Sequence, residues 1–233
     1  MAKQRNLSPQ TSFWRAMWAV VWKDVSAEWR SREMFSAMLI FSLLVAFIFN
    51  FSLDLNPKTQ REITAGMLWV TFAFAGTLGL NRSMAIEKDR GCLDGLLLAP
   101  VDRSAIYFGK VIGNLIFMFA VEAIILPLFS IFYNVNLFNP GLLLVVLLGS
   151  LGYVVVGTLI ATMTVQTRTR DVLLPILLFP VVLPVIASSV RASTYFLQGQ
   201  AMDLIWPNIN LLIAFDLIYM ALAYMVFDYI VEE

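Results

Sequence analysis

Six long apolar stretches constrain this chain more than any other feature of its sequence. Met34 to Leu53 runs for twenty residues without a charge, about the ~20 needed to cross ~30 Å of hydrocarbon at 1.5 Å per residue. Ile63 to Asn81 supplies nineteen more. A third stretch runs from Ser104 to about Phe132 and is interrupted by Lys110 and Glu122. A turn at Asn134 to Pro140 leads into a fourth, Gly141 to Gln166, and Val172 to Val190 makes a fifth. The sixth, from about Ile209 to Phe227, holds Asp216. Of the 233 residues, 60% are hydrophobic and 14% charged, against roughly 45–50% and about 25% in soluble domains. A water-soluble domain of this size cannot hide that much apolar surface, so a bilayer must solvate it. The expected fold is all-α and polytopic, with six transmembrane helices.

Ahead of the first span, Met1 to Gln10 is polar and expected to be flexible. It does not read as a signal peptide, because no apolar core follows Lys3 and Arg5 closely enough. From Thr11 to Arg32 the spacing becomes helical. Trp14, Trp18, Trp22, Val25 and Trp29 recur every three or four residues and share one face. Tryptophans on one stripe, flanked by cations, suit an amphipathic helix lying in the headgroup layer, with membrane lipid as its partner. The alternative is a helix packed on the protein's own core. Three units follow: a flexible terminus (1–10), an interfacial helix (11–33) and the six-helix domain (34–231).

Lysine and arginine counts set the orientation. With the N-terminus inside, twelve of the sixteen fall on the cytoplasmic side and three on the outside (Lys58, Arg61, Arg191), while Lys110 lies within a span. Both termini are therefore expected in the cytoplasm. So is the charged segment between the second and third spans, from Ser83 to about Arg103. Its residues Glu87, Lys88, Asp89, Arg90, Asp94, Asp102 and Arg103 surround an apolar group, Leu93 with Leu96, Leu97 and Leu98. Such a segment, tied to two spans, can pass motion from a cytosolic partner to membrane helices. Its charges would set register and its leucines contact area. An ordinary loop helix covering the end of the bundle would look the same.

Ionisable residues inside spans are expensive and point to function by default. Lys110, near the start of its span, is expected to snorkel to the interface. Glu122 lies about 18 Å further along the helix. Asp216, seven residues into the sixth span, should sit at comparable depth in the outer half. Either could line a subunit interface or meet a partner protein; the alternative is a hydrogen-bonded carboxyl lodged in the bundle. Pro175, Pro180 and Pro184 remove three backbone donors from the fifth span. A bent or broken helix is expected there, serving as a hinge or merely as shape. Gly109 with Gly113, and Gly157 with Ala161, have the small-residue spacing that permits close helix approach.

The exclusions are as useful. Net charge is zero, so no basic field invites nucleic acid. Histidine is absent, which removes the usual haem axial ligand and the commonest metal ligand; no metal site is expected. The single Cys92 cannot form an internal disulfide. The nearest approach to a phosphate-binding Walker loop is Ser104 to Val111, where serine replaces the first glycine and valine the final hydroxyl residue. With no catalytic residue identified, the chain reads as a non-enzyme whose nucleotide site must lie on another polypeptide.

The run EKDRGCLDGLLLAPVDR from Glu87 to Arg103, followed by Gly109-Lys110, resembles a signature of type-2 ABC exporter membrane subunits. The matching positions are Glu87, Gly91, Leu93, Leu96, Pro100 and Lys110. Within that superfamily the chain resembles the CcmB family through three further stretches: WKDVSAEWRSRE (Trp22 to Glu33), IFSLLVAFIFNF (Ile40 to Phe51) and LLPILLFPVVLP (Leu173 to Pro184). The resemblance implies a multi-pass subunit of the bacterial cytoplasmic membrane, paired with a second copy of itself and with CcmA-type ATPase subunits. It implies association with CcmC, CcmD and the haem chaperone CcmE, whose haem-loaded form is released by ATP hydrolysis. ATP and haem would then sit on partner proteins, with no cofactor bound here directly. The ATPase-coupling residues it implies are Glu87, Lys88, Asp89, Arg90, Gly91, Leu93, Asp94, Leu97 and Pro100. Two other readings stay open. One is a related ABC permease exporting a lipid, drug or glycan. The other is a membrane enzyme or ion-coupled carrier that works without an ATPase.

Overall fold

In a computed structural model the described residues are 12–52, 57–89, 91, 101–167 and 169–230. They form seven helices: α1 (Phe13–Ser31), α2 (Glu33–Ser52), α3 (Pro57–Asp89), α4 (Arg103–Tyr133), α5 (Pro140–Thr164), α6 (Arg170–Gln198) and α7 (Met202–Ile230). Helices α2 to α7 are each long and apolar enough to cross a membrane. The all-α, six-span expectation therefore holds.

Local chemistry sets the helix ends. Asp102 accepts from the Ser104 amide at 2.9 Å to start α4, and Asn139 accepts from the Gly141 amide at 2.9 Å to start α5. Both short side chains satisfy amides that a first helical turn leaves without partners. Pro140 follows at the first position of α5, where its missing N–H costs nothing. α4 ends on left-handed Asn134 and α6 on left-handed Gly199. Between α1 and α2 the whole turn is one left-handed residue, Arg32, whose amide bonds to Glu28 O at 2.7 Å.

α3 and α5 are the inner helices, and α5 packs against α3, α4, α6 and α7. Lipid is as apolar as leucine, so burial alone does not hold spans together; close approach and interhelical hydrogen bonds do. A Cβ on Gly76 would lie 2.6 Å from the Tyr153 ring, and one on Gly157 would collide with Leu80. The Tyr153 hydroxyl donates to Ala73 O at 2.6 Å, tying α5 to α3, and the Tyr107 hydroxyl donates to Val155 O at 2.7 Å, tying α4 to α5. Trp69 Nε1 donates to Ser193 Oγ at 3.0 Å, joining α3 to α6.

Two expectations change. The second span does not stop as a helix near Asn81; α3 continues to Asp89. Nor is the proline-bearing span broken, since α6 is one helix through Pro175, Pro180 and Pro184. Pro180 and Pro184 lie four apart and are exposed, which puts their rings and missing donors on the outer face. Leu174, Leu178, Val182 and Val185 form an uninterrupted buried stripe inward.

Candidate functional site

The extension of α3 is tied to several other helices, and it lies at the end of the bundle that carries α1. Asn81 Nδ2 donates to Asp171 Oδ1 on α6 at 3.0 Å. Arg82 pairs with Glu33 at the start of α2. Glu87 pairs with Lys23 on α1 and with Lys110 on α4. Lys88 Nζ donates to Val165 O at the end of α5 at 2.8 Å, and Asp89 meets Arg170 of α6 at 3.4 Å. Within nine residues α3 thus holds polar links to five other helices.

These links differ in depth. Arg82 and Glu33 are largely exposed, and such pairs contribute about 0–1 kcal/mol. Glu87 is 6% exposed and Lys110 is 3% exposed. Lys110 Nζ lies 2.9 Å from Asp24 Oδ2, and Asp24 Oδ1 lies 3.1 Å from Lys23 Nζ. Two ammonium groups and two carboxylates therefore alternate around a ring, with no net charge. Burial by itself would lower the Lys23 pKa, but Asp24 and Glu87 outweigh it and hold the group above its ordinary 10.5. The ring borders a cleft of about 100 Å³ among α1 to α4, with Glu28 and Ser83 also on its walls. Among the described residues Glu87 Oε2 has no hydrogen-bond partner.

α1 reaches this ring because its backbone lies directly on α4. A Cβ on Gly109 would be 2.7 Å from Val20 Cβ and 2.9 Å from Met17 O, and one on Gly113 would be 3.6 Å from the Asp24 carboxylate. Glu28 makes a second attachment: its Oε1 accepts from the Phe35 amide at 2.9 Å, which places a carboxylate at the N-terminus of α2. Trp14, Trp18, Trp22 and Trp29 remain exposed, between 57% and 77%. The two sequence alternatives for α1 thus describe its two faces. One packs through Ala16, Met17, Val20 and Val21, and the other turns its tryptophans outward.

Lys110 departs from expectation. Instead of snorkelling outward, it turns inward to Asp24 and Glu87, because Gly109 and Gly113 let α1 close over it. Glu87 faces inward as well, whereas Lys88 is half-buried and Asp89 exposed. Gly91 is exposed with φ of 64°, and its amide bonds to Lys88 O at 3.0 Å. That left-handed turn gives the signature glycine a backbone reason. Arg90, Leu93, Asp94, Leu97 and Pro100 lie outside the described residues. Sequence reasoning missed Lys23, Asp24 and Glu28, although they fall in the first quoted CcmB-like stretch. Cations and anions that cancel across separate helices were the available signal.

Glu122 and Asp216 are 2% and 3% exposed. Ser150 donates to Glu122 Oε1, while Asp216 packs on Gly152, where a Cβ would collide with it. Among the described residues neither carboxylate has an ion-pair partner, and neither Asp216 oxygen has a hydrogen-bond partner. Both face this chain's own interior, so neither lines a surface on which another subunit could dock. Of the two alternatives, their burial accords with a carboxyl lodged in the bundle: glycine at 152 makes internal room for Asp216, and Ser150 does the same for Glu122 through its hydroxyl.

Comparison with known proteins identifies the fold. The CcmB protein family matches residues 15–232. The chain belongs to the CcmB family. Among curated CcmB relatives, Heme exporter protein B of Rhodobacter capsulatus is 27% identical over 190 residues, covering 80% of this chain and 86% of the relative. Heme exporter protein B of Pseudomonas aeruginosa is 25% identical over 173 residues, covering 73% and 76%. The protein of that name from Paracoccus denitrificans is 26% identical over 177 residues, covering 76% and 81%.

Proposed function

We propose that this CcmB-family chain is the non-catalytic membrane subunit of an ABC system serving haem export and cytochrome c maturation in the bacterial inner membrane. The family match across residues 15–232 carries the proposal, and the relatives named Heme exporter protein B supply its biological setting. In this reading both termini face the cytoplasm. A CcmA-type ATPase docks on the segment between α3 and α4, and two copies of the chain pair in the membrane. ATP hydrolysis moves that segment, and the motion reaches CcmC and CcmD so that haem-loaded CcmE is released. The α3 extension supports a mechanical role, because a displacement applied there is passed to five helices. The chain carries no histidine, which favours force transmission over haem ligation.

The test has two parts. The tagged chain, extracted in detergent, should bring down an ATPase subunit. A strain lacking the chain should lose haem staining of its periplasmic c-type cytochromes and regain it on complementation. Normal cytochromes in the deletion strain, with loss of export of a lipid, drug or glycan, would overturn the haem assignment. Activity without any ATPase partner would overturn the ABC assignment itself.

A further inference from the structure

We infer that Glu87 is a positioning residue that fastens α1 to the driven end of α3, and that the signature glutamate is not a docking contact for the ATPase. The inference rests on the proposed ABC reading for its functional consequence but on geometry for its substance. A docking residue must offer its charge to an incoming surface. Glu87 is 6% exposed, and its paired oxygen is occupied by Lys23 and Lys110 of its own chain.

The ring fixes α1 in register. Asp24 and Lys23 are consecutive, so one turn of α1 presents both an anion to Lys110 and a cation to Glu87. Sliding α1 along α4 would break both pairings together and leave charges buried without partners. The close approach of the Met17 carbonyl and the Val20 side chain to Gly109 seats α1 on α4 by this one face. Glu28 holds the far end of α1 to α2 through the Phe35 amide. Motion of residues 82–89 therefore takes α1 with it, and with α1 its outward row of tryptophans. α1 is a working strut in this account, moving against the membrane surface as the α3 extension moves.

The test compares three forms of the complex purified from membranes: the unaltered chain, Glu87→Gln, and the charge-balanced double variant Glu87→Gln/Lys110→Met, which leaves Lys23 and Asp24 to neutralise each other. With Glu87→Gln the ATPase should still co-purify in undiminished amount while haem staining of c-type cytochromes falls. The double variant should regain thermal stability without regaining haem staining. Release of the ATPase by Glu87→Gln would make Glu87 a docking contact and overturn the inference. Full haem staining in the double variant would reduce the ring to a stabilising role and overturn it equally. Attachment of α1 is read separately by the distance between spin labels at Trp18→Cys and Leu78→Cys, in a Cys92→Ser chain reconstituted into vesicles. One narrow distance that broadens with Glu87→Gln is expected, and an unchanged distribution would refute the fastening. If no ATPase co-purifies even with the unaltered chain, the ABC assignment fails, while the spin-label result still decides the attachment.

Discussion

Replacing Lys110 by methionine isolates the energetics of the buried ring. The side chain is 3% exposed, its nitrogen sits 2.9 Å from Asp24 and it pairs with Glu87. Its removal leaves two carboxylates sharing the single ammonium of Lys23, with one excess negative charge between side chains only 8% and 16% exposed. Breaking a buried pair from one side costs about 3–5 kcal/mol, because the orphaned ion keeps its desolvation penalty. At about 2–4 °C per kcal/mol for a protein of roughly this length, the melting temperature should fall by roughly 6–20 °C. Unfolding in detergent, followed by intrinsic tryptophan fluorescence, measures it. Arg82→Ala breaks the exposed pair with Glu33 and serves as the internal control, with an expected cost of about 0–1 kcal/mol. Adding Glu87→Gln to Lys110→Met should cost less than the two single changes summed, since the ring becomes neutral again and its members are coupled. If Lys110→Met melts no lower than Arg82→Ala, the lysine is not enclosed among carboxylates. It would then reach the interface as long cationic side chains commonly do, and the ring argument would fall with it.

Four further expectations follow from the packing and the charges. Gly152→Ala drives a methyl group into Asp216 and should cost about 1–3 kcal/mol as overpacking; adding Asp216→Ala should recover part of that loss, and a neutral Gly152→Ala would show that the two helices lie further apart. Trp22→Ala removes an exposed side chain and should change bundle stability by no more than about 0.5 kcal/mol. In vesicles, brominated lipid labelled near the headgroups should quench Trp14, Trp18 and Trp29; quenching by aqueous acrylamide as strong as in free peptide would contradict an interfacial α1. Lys23 has a raised pKa in the folded chain, so its contribution is fully present below the ordinary 10.5 and lost as pH climbs through the raised value. Melting temperature should therefore show no Lys23-dependent change between pH 7 and about 10, a Lys23→Met chain serving as reference; a Lys23-dependent fall within that range would refute the assignment.

The helices were legible because a bilayer imposes similar length and composition on every span, and each expected span overlaps one observed helix. The turn at Asn134 to Pro140 was legible too, since Asn139 and Pro140 are local start signals that need no tertiary context. What sequence could not supply was the direction in which a charged side chain points. Lys110 near the end of an apolar run reads as snorkelling until the glycines at 109 and 113 are seen to admit α1 over it. The three prolines read as a bend or a break because the rule concerns one helix alone. Pro180 and Pro184 lie on the exposed face of α6, which leaves the buried stripe intact. For Asp216 the sequence left an interface and a carboxyl lodged in the bundle both open, because the room it occupies comes from Gly152 on a different helix.

The resemblance signature now divides into parts that do different work. Its glutamate and its lysine, Glu87 and Lys110, lie in separate helices yet meet in one buried ring, so their spacing in sequence records an internal closure. Its glycine, Gly91, makes the left-handed turn that ends the α3 extension. Neither function requires a second protein. In the proposed ABC reading, the remaining members, Leu93, Leu96 and Pro100, are the ones left to grip a partner that docks between α3 and α4. Substitution within that leucine group should weaken ATPase retention, whereas substitution in the ring should leave retention intact and disconnect it from the bundle. A signature read as one docking motif predicts the same failure for both sets, so comparing Leu93→Ala with Glu87→Gln in one pull-down decides between the two accounts.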